Sequence, residues 1–460
     1  MPINSFDDYP MSWRPDLSGE SGPKYMAIVN KLEKDIKSGA LKPGTKLPPQ
    51  RELADFLDVN LSTVFRAFKL CEQRGLLSAS VGSGTFVSSD ATSEHVLLSR
   101  KEGAQSIEMG AIIPGVKANL KVKQYLEGLL KRPDALTLFS YGVPEGTRRH
   151  REAGAIWFQK AGFQTDSGHI ALAAGGQNAL MAALGTFFKS GDRVGTDPLT
   201  FSGTKTAAKL LGIQLIPIQG WDCEMTEEGL RYAIQNENIK GIYVIPDYHN
   251  PTTHVMSLET RIMIARIAQE TKLIVIEDAI NSALMEHPMP PIAAFAPEQT
   301  VCLSSLSKSV SAGLRTAFVH VPDAYYPELV NTLYSMNTAT SPLLATVSAG
   351  LIEDGIADEI VAERKREIAE RNRIVNEVLA GFSVVSELSC PFRYIRLPEH
   401  FTGQSFEICA NAAGVQLYGA ERFAVGNKPV EKAVRISVTT PATIEDLTEA
   451  IHRLRELLQK

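Results

Sequence analysis

Apolar residues recur at Tyr25, Ile28, Val29, Leu32 and Ile36, the three-and-four spacing of one helical face, and Ser38-Gly39 closes the segment. A helix is predicted there. A second, short helix is predicted in PQRELADFL, opened by Pro48-Pro49, and the turn DVN leads to a third in LSTVFRAFKLCEQ, with Asn60 as its cap and Gly75 past its end. On that third helix Val64, Ala67, Phe68 and Cys71 form an apolar stripe, while Ser62, Arg66, Lys69 and Gln73 line the opposite face, one suited to a major groove. LLSASVGSGTFVS then reads as two short strands around Gly82-Ser83-Gly84. SSDATSEHVLLSRKEGAQS is polar and without period, an interdomain linker whose VLL has the composition to dock locally. From Ile107 onward the pattern changes. Short β-branched runs alternate with helical ones, as in GIYVIPDYHNP, LETRIMIARIAQE and KLIVIEDAI, which predicts βαβ units around a parallel sheet. A long helix is expected in LIEDGIADEIVAERKREIAERNRIV.

The 460 residues amount to about three typical domain lengths, so this division into a small head and a large body is expected. No run approaches the roughly 20 apolar residues that cross a bilayer, and MPINSFDDYPMSWRPDL carries acids where a signal peptide needs basic and apolar residues. A cytoplasmic location and no membrane partner are expected. Cys71, Cys223, Cys302, Cys390 and Cys409 lie far apart without a CxxC pair, so neither a disulfide framework nor a metal site is indicated. His249 and His254 lack acidic or cysteine partners at ligand spacing and are read as loop residues. The net charge of -5 hides a split: between Ser21 and Ser89 ten basic residues face six acidic ones, leaving the head at +4 and the rest at -9. That asymmetry fits nucleic-acid contact by the head.

Three of the body's apolar runs end in reactive or polar residues. Asn250 follows GIYVIP, Asp278 ends KLIVIE and Lys308 follows VCLSSLS, separated by 28 and 30 residues, each enough for a strand, a crossover helix and the return strand. Sites in such sheets lie at the carboxyl ends of strands, so the three are expected to converge. An amide, a buried carboxylate and a lysine meet the needs of pyridoxal phosphate: an amine for a Schiff base, an acid for the pyridine nitrogen and a hydrogen bond to the phenolic oxygen. Ser305, Ser307 and Arg315 beside Lys308, with Gly175, Gly176 and Gln177 in AAGGQNAL, supply donors and a helix start for the phosphate. Phe201, in DPLTF, is the candidate ring to stack on the pyridine.

LPPQRELADFLDVNLSTVFRAFKLCEQRGLLSASVGSGTFV resembles the GntR-type winged helix-turn-helix. The resemblance implies contacts to double-stranded DNA by Arg51 on the second helix, by Asn60, Ser62, Thr63 and Arg66 at the start of the recognition helix, and by the wing glycine Gly84. Many members carry arginine where this chain has Leu61. YGVPEG, HNPT, IED, SLSKSVSAGLR and VRISVTTP resemble fold type I aminotransferases of class I/II. That resemblance implies that Tyr141 reaches the cofactor phosphate of a neighbouring subunit and that Arg435 grips a substrate carboxylate. Where the family usually has a tyrosine just after the pyridine aspartate, this chain has Ile280 and Asn281, and Thr253 replaces the glycine of NPTG.

Head and body together resemble the MocR/GabR family of transcription regulators. The resemblance implies an α/β chain with a winged helix-turn-helix at 21–88, a linker at 89–106 and a fold type I body at 107–460, its large domain about 120–330 and its small domain about 340–460. It further implies a homodimer that binds an operator and senses an amino acid or amine through external aldimine formation on Lys308, with slow or absent transamination. The alternative is an active aminotransferase with an accessory DNA-binding head.

Overall fold

The computed structural model describes residues 11–18, 22–42, 44–73, 76–80, 84–87, 106–221, 223–426 and 430–460. The expected linker apart from Ser106, the turn residues Gly82 and Ser83, Gly75 and the side chain of Gln73 lie outside the described residues.

In the head, α1 (Lys24–Lys37), α2 (Gln50–Phe56) and α3 (Leu61–Gln73) are followed by an antiparallel hairpin of β1 (Leu77–Ser80) and β2 (Gly84–Val87). The apolar stripes meet in one core, where Ile28, Val29, Leu32 and Ile36 of α1 pack against Leu53 of α2, Val64, Ala67, Phe68 and Cys71 of α3, and Val87 of the wing. Trp13, N-terminal to the expected boundary at residue 21, joins this core and donates from its indole to Asp35 at 2.9 Å. The wing also gains a rung that the pattern does not reveal. Leu47 N–H donates to Thr85 O at 2.8 Å and Val87 N–H to Thr45 O at 2.9 Å, laying Lys46 beside Phe86.

The body opens with β3 (Ile107–Glu108) and continues through β4 (Ile170–Ala173), β5 (Arg193–Thr196), β6 (Gln214–Pro217), a small hairpin of β7 (Gly220–Trp221) and β8 (Glu224–Met225), β9 (Gly241–Val244), β10 (Ile274–Asp278), β11 (Thr300–Ser305) and β12 (Ala317–His320). A seven-stranded sheet has the order β4-β12-β11-β10-β9-β5-β6. The expected parallel βαβ pairing holds for β11-β10-β9-β5-β6, while β12 runs antiparallel to both β11 and β4. Only residues 306–316 join β11 to β12, too few for a helical crossover that would return the chain in parallel. β9, β10 and β11 are parallel neighbours, so their carboxyl ends lie side by side.

Further along come β13 (Val384–Val385), β14 (Phe392–Arg396), β15 (Val415–Gln416), β16 (Tyr418–Gly419) and β17 (Ala433–Ser437), of which β13-β14-β17-β16 form a four-stranded antiparallel sheet. β3 pairs in parallel with β15, so the segment that follows the expected linker is tied to the last third of the chain. The single helix expected over LIEDGIADEIVAERKREIAERNRIV is two helices, Pro342–Glu353 and Ile356–Val378. They are separated at Gly355, whose φ of +76° is a left-handed value that ends a helix readily only with glycine. No helix among the described residues is long and apolar enough to cross a membrane.

Phe68 is 1% exposed at the centre of the head core. Phe68→Ala is predicted to cost about 3–5 kcal/mol, a large share of a small domain's stability. Calorimetry of the full chain should show the head's transition lowered and the body's unchanged; an unaltered trace would contradict this packing.

Candidate functional site

Strand geometry brings the three body residues together. Asp278 ends β10, Lys308 lies in the short helix Leu306–Ser309 after β11, and Asn250 follows β9. Asp278 is buried and accepts hydrogen bonds from the Tyr243 hydroxyl at 2.7 Å and from Ile280 N–H at 3.2 Å. Burial pushes its carboxyl up to about 6, against the pull of those two bonds and of Lys308. The carboxylate therefore predominates at neutral pH. Lys308 donates to Ile112 O at 2.5 Å, and burial, together with the nearby Arg435 and Arg315 cations, lowers its amine to about 8. An appreciable unprotonated fraction is thus present near neutrality, as a nucleophilic amine requires.

Asn250 Oδ1 accepts from Arg435 Nη1 at 2.7 Å, which links the end of β9 to β17 of the four-stranded sheet. Arg435 also donates to Gly110 O, and its guanidinium lies 4.9 Å from the Phe423 ring and 5.3 Å from that of Tyr418. Its Nε is buried without a partner among the described residues. No carboxylate of the described residues forms an ion pair with it, and burial brings it down to about 10, so it remains a cation at neutral pH.

Just past β4, Gly175 (φ +91°) caps the start of α6 (Gly176–Phe187), which follows α4 (Asn119–Leu130) and α5 (Arg148–Lys160). A Cβ on Gly175 would meet the Arg315 guanidinium, and the residue's φ of +91° itself favours glycine. Arg315 donates to Ala174 O at 3.3 Å and to Ser307 Oγ at 3.4 Å, and Ser305 Oγ lies 3.0 Å from Ser307 Oγ. These serines, the first turn of α6 and Arg315 form a cluster of donors. Gln177 is turned away from that role by a bond of 3.0 Å from its amide to Gly203 O. Phe201 precedes α7 (Ser202–Leu211) and packs within the sheet-and-helix core around Leu180 and Tyr243. Tyr141 is 92% exposed, on the surface rather than among these buried groups.

Sequence patterning missed Tyr243, since a tyrosine inside GIYV looks like any strand residue until the neighbouring strand supplies Asp278. Nor do Ile280 and Asn281 place a hydroxyl at the usual tyrosine position: Ile280 packs on Gly176, and the Asn281 amide donates to Tyr248 O at 3.1 Å. His249 lies in the loop after β9, as read, but the loop is buried there. The residue is 6% exposed, bonded to Thr252 Oγ1 at 2.8 Å, and burial lowers its imidazole to about 3, leaving it neutral beside Asp197.

On the head, Asn60 caps α3 by accepting from Ser62 N–H and Ser62 Oγ, both at 3.0 Å. Arg51, Ser62, Arg66 and Lys69 are exposed, Thr63 is half-buried, and Gly84 is exposed with φ +113°. Arg66 stacks on Tyr25 at 3.9 Å. Lys46 adds a cation beside the wing glycine that sequence patterning did not assign there: a Cβ on Gly84 would lie 2.9 Å from its side chain.

The family described as "Bacterial regulatory proteins, gntR family" matches residues 24–87, and that described as "Aminotransferase class I and II" matches residues 115–453, well over half the chain. The Bacillus subtilis (strain 168) protein named "Uncharacterized HTH-type transcriptional regulator YdeF" is 46% identical over 458 residues, covering 100% of this chain and 99% of that one. The chain belongs to the MocR/GabR-type transcription regulators. A more distant relative of the regulator is the "HTH-type pyridoxine biosynthesis transcriptional regulator PdxR" of Corynebacterium glutamicum, 22% identical over 76% of this chain and 78% of that one. Among solved structures, an archaeal alanine:glyoxylate aminotransferase superposes with a TM-score of 0.71 at 20% identity over 78% of this chain and 92% of its own. The Pyrococcus horikoshii kynurenine aminotransferase gives 0.70 at 21% identity over the same shares. These likenesses identify the regulator's body as a fold type I aminotransferase fold, and the class I and II family is dependent on pyridoxal phosphate.

Lys308 yields a pH-dependent prediction. Its amine falls from 10.5 to about 8 on folding, so the folded protein binds this proton less tightly and pays for the buried amine below pH 8; the penalty fades as pH rises toward 10.5. Lys308→Met should therefore raise the melting temperature of the cofactor-free regulator at pH 7, and the gain should shrink above pH 8. Melting curves whose difference is flat with pH would show that Lys308 is not titrating in this way.

Proposed function

We propose that this regulator binds pyridoxal phosphate through Lys308 and that an amino-acid ligand at the same site controls how its heads engage double-stranded operator DNA. The donor set fits the cofactor. Arg315, Ser305, Ser307 and the start of α6 suit a phosphate dianion, with the Arg315 guanidinium close against Gly175. When bound, pyridoxal phosphate supplies an aldehyde that condenses with a primary amine and a ring that accepts electrons. Asp278, ionised at neutral pH, is suited to hold a proton on the ring nitrogen, and Asn250 and Phe201 to orient the ring. Gly176 and Gln177 serve through the helix start rather than through side chains.

The observation that carries the ligand class is Arg435. A guanidinium this buried without an anionic partner is costly, and a carboxylate forming two parallel charge-assisted bonds would offset that cost. An amino acid is therefore favoured over the plain amine. Ile280 and Asn281 leave the site without the usual tyrosine hydroxyl, so ligand binding with slow turnover is expected rather than efficient transamination. A homodimer is part of this reading: Tyr141, 92% exposed, is free to reach a neighbouring subunit's site, and paired heads match paired half-sites. For the DNA contacts, the reading assigns Arg51, Asn60, Ser62, Thr63, Arg66 and Gly84, with Lys46 added.

Borohydride reduction of the cofactor-loaded protein, followed by peptide mass mapping, tests the cofactor assignment. The phosphopyridoxyl mass is expected on the peptide containing Lys308 and absent from Lys308→Ala. A stable adduct on another lysine, or none, would refute it.

A further inference from the structure

The recognition helix presents two large apolar side chains to solvent. Leu61 is 40% exposed and Phe65 57% exposed. Four residues apart on α3, they share one side of the helix. Neither joins the head core, which is built from Val64, Ala67, Phe68 and Cys71 on the other side. The polar residues around them are already engaged within the chain: Asn60 and Ser62 bond to each other at the cap, and Arg66 stacks on Tyr25. At the exposed start of α3, then, Leu61 and Phe65 add two apolar groups to an otherwise polar surface.

Their surroundings indicate what covers them. Arg51, Arg66 and Lys69 are exposed on the same head, Lys46 lies along the wing, and the head carries an excess of four positive charges. Such a rim of cations suits phosphates. In a helix-turn-helix the first residues of the second helix reach base edges in the major groove, where the one apolar group on display is the C5-methyl of thymine. We propose that Leu61 and Phe65 are specificity-determining residues that read thymine methyl groups in the major groove of the operator. This inference rests on the DNA-binding reading above and adds which chemistry does the discriminating.

Uracil differs from thymine at the major groove only by that methyl group, which makes the test direct. The full-length protein is used to recover a binding duplex from a random-sequence pool, and each thymine of the recovered half-site is replaced in turn by uracil. Wild-type protein is expected to bind the uracil duplex about fourfold more weakly at one or two positions, the factor for one buried methyl group. Leu61→Ala/Phe65→Ala should bind thymine and uracil duplexes equally. Since both residues are exposed, the double variant is expected to fold, and the comparison within the wild type needs no variant at all. A recovered duplex whose every thymine tolerates uracil would overturn this inference and leave DNA binding standing. So would a double variant that keeps the full difference, or one that changes only the oligomeric state. A pool that enriches no sequence would overturn the inference and the DNA-binding reading together.

Discussion

The body is organised around one buried cation. Arg435 sits on β17 of the four-stranded sheet yet bonds to Asn250, at the end of β9 in the seven-stranded sheet, and to Gly110, in the segment that follows β3. Three parts of the chain, separated by up to 325 residues, thus meet at one guanidinium. Its partners are an amide oxygen, a peptide oxygen and aromatic rings, none of which cancels its charge. An anion entering the site would change the electrostatic balance of all three parts at once. Lys308 belongs to the same balance, because Arg435 is among the charges that lower its amine.

Much of this arrangement is legible in the sequence where local physics decides. The helical periods of α1 and α3 survive because each buries the stripe that the pattern identifies, and Asn60 caps α3 as its position suggests. Asn250, Asp278 and Lys308 converge because adjacent parallel strands must end together. What escapes the sequence is set by contacts between distant segments. Tyr243 gains a role only through Asp278 on the next strand, β12 reverses direction because its connection is short, and Lys46 enters the wing through pairing with Phe86. Phe65 is a different case. The pattern places it on neither the apolar stripe nor the polar face, and only the packing reveals that it faces outward.

Head and body are covalently joined just before β3, whose backbone pairs with β15 and leads directly to Gly110. A shift of that segment on ligand binding at Arg435 would therefore be felt where the linker ends. Coupling of this kind is reciprocal: a ligand that changes DNA affinity must have its own affinity changed by DNA to the same extent. On the proposed reading, an aminotransferase fold serves regulation without requiring turnover.

The most direct measurement of that coupling is operator affinity of the cofactor-loaded full chain, at fixed salt, with and without each of the common amino acids and their decarboxylated amines. The account predicts that at least one amino acid changes affinity by about fivefold or more, the lower range of typical allosteric coupling, that its amine does not, and that Arg435→Ala abolishes the change. An operator affinity indifferent to every amino acid, or a response that survives intact in Arg435→Ala, would contradict it.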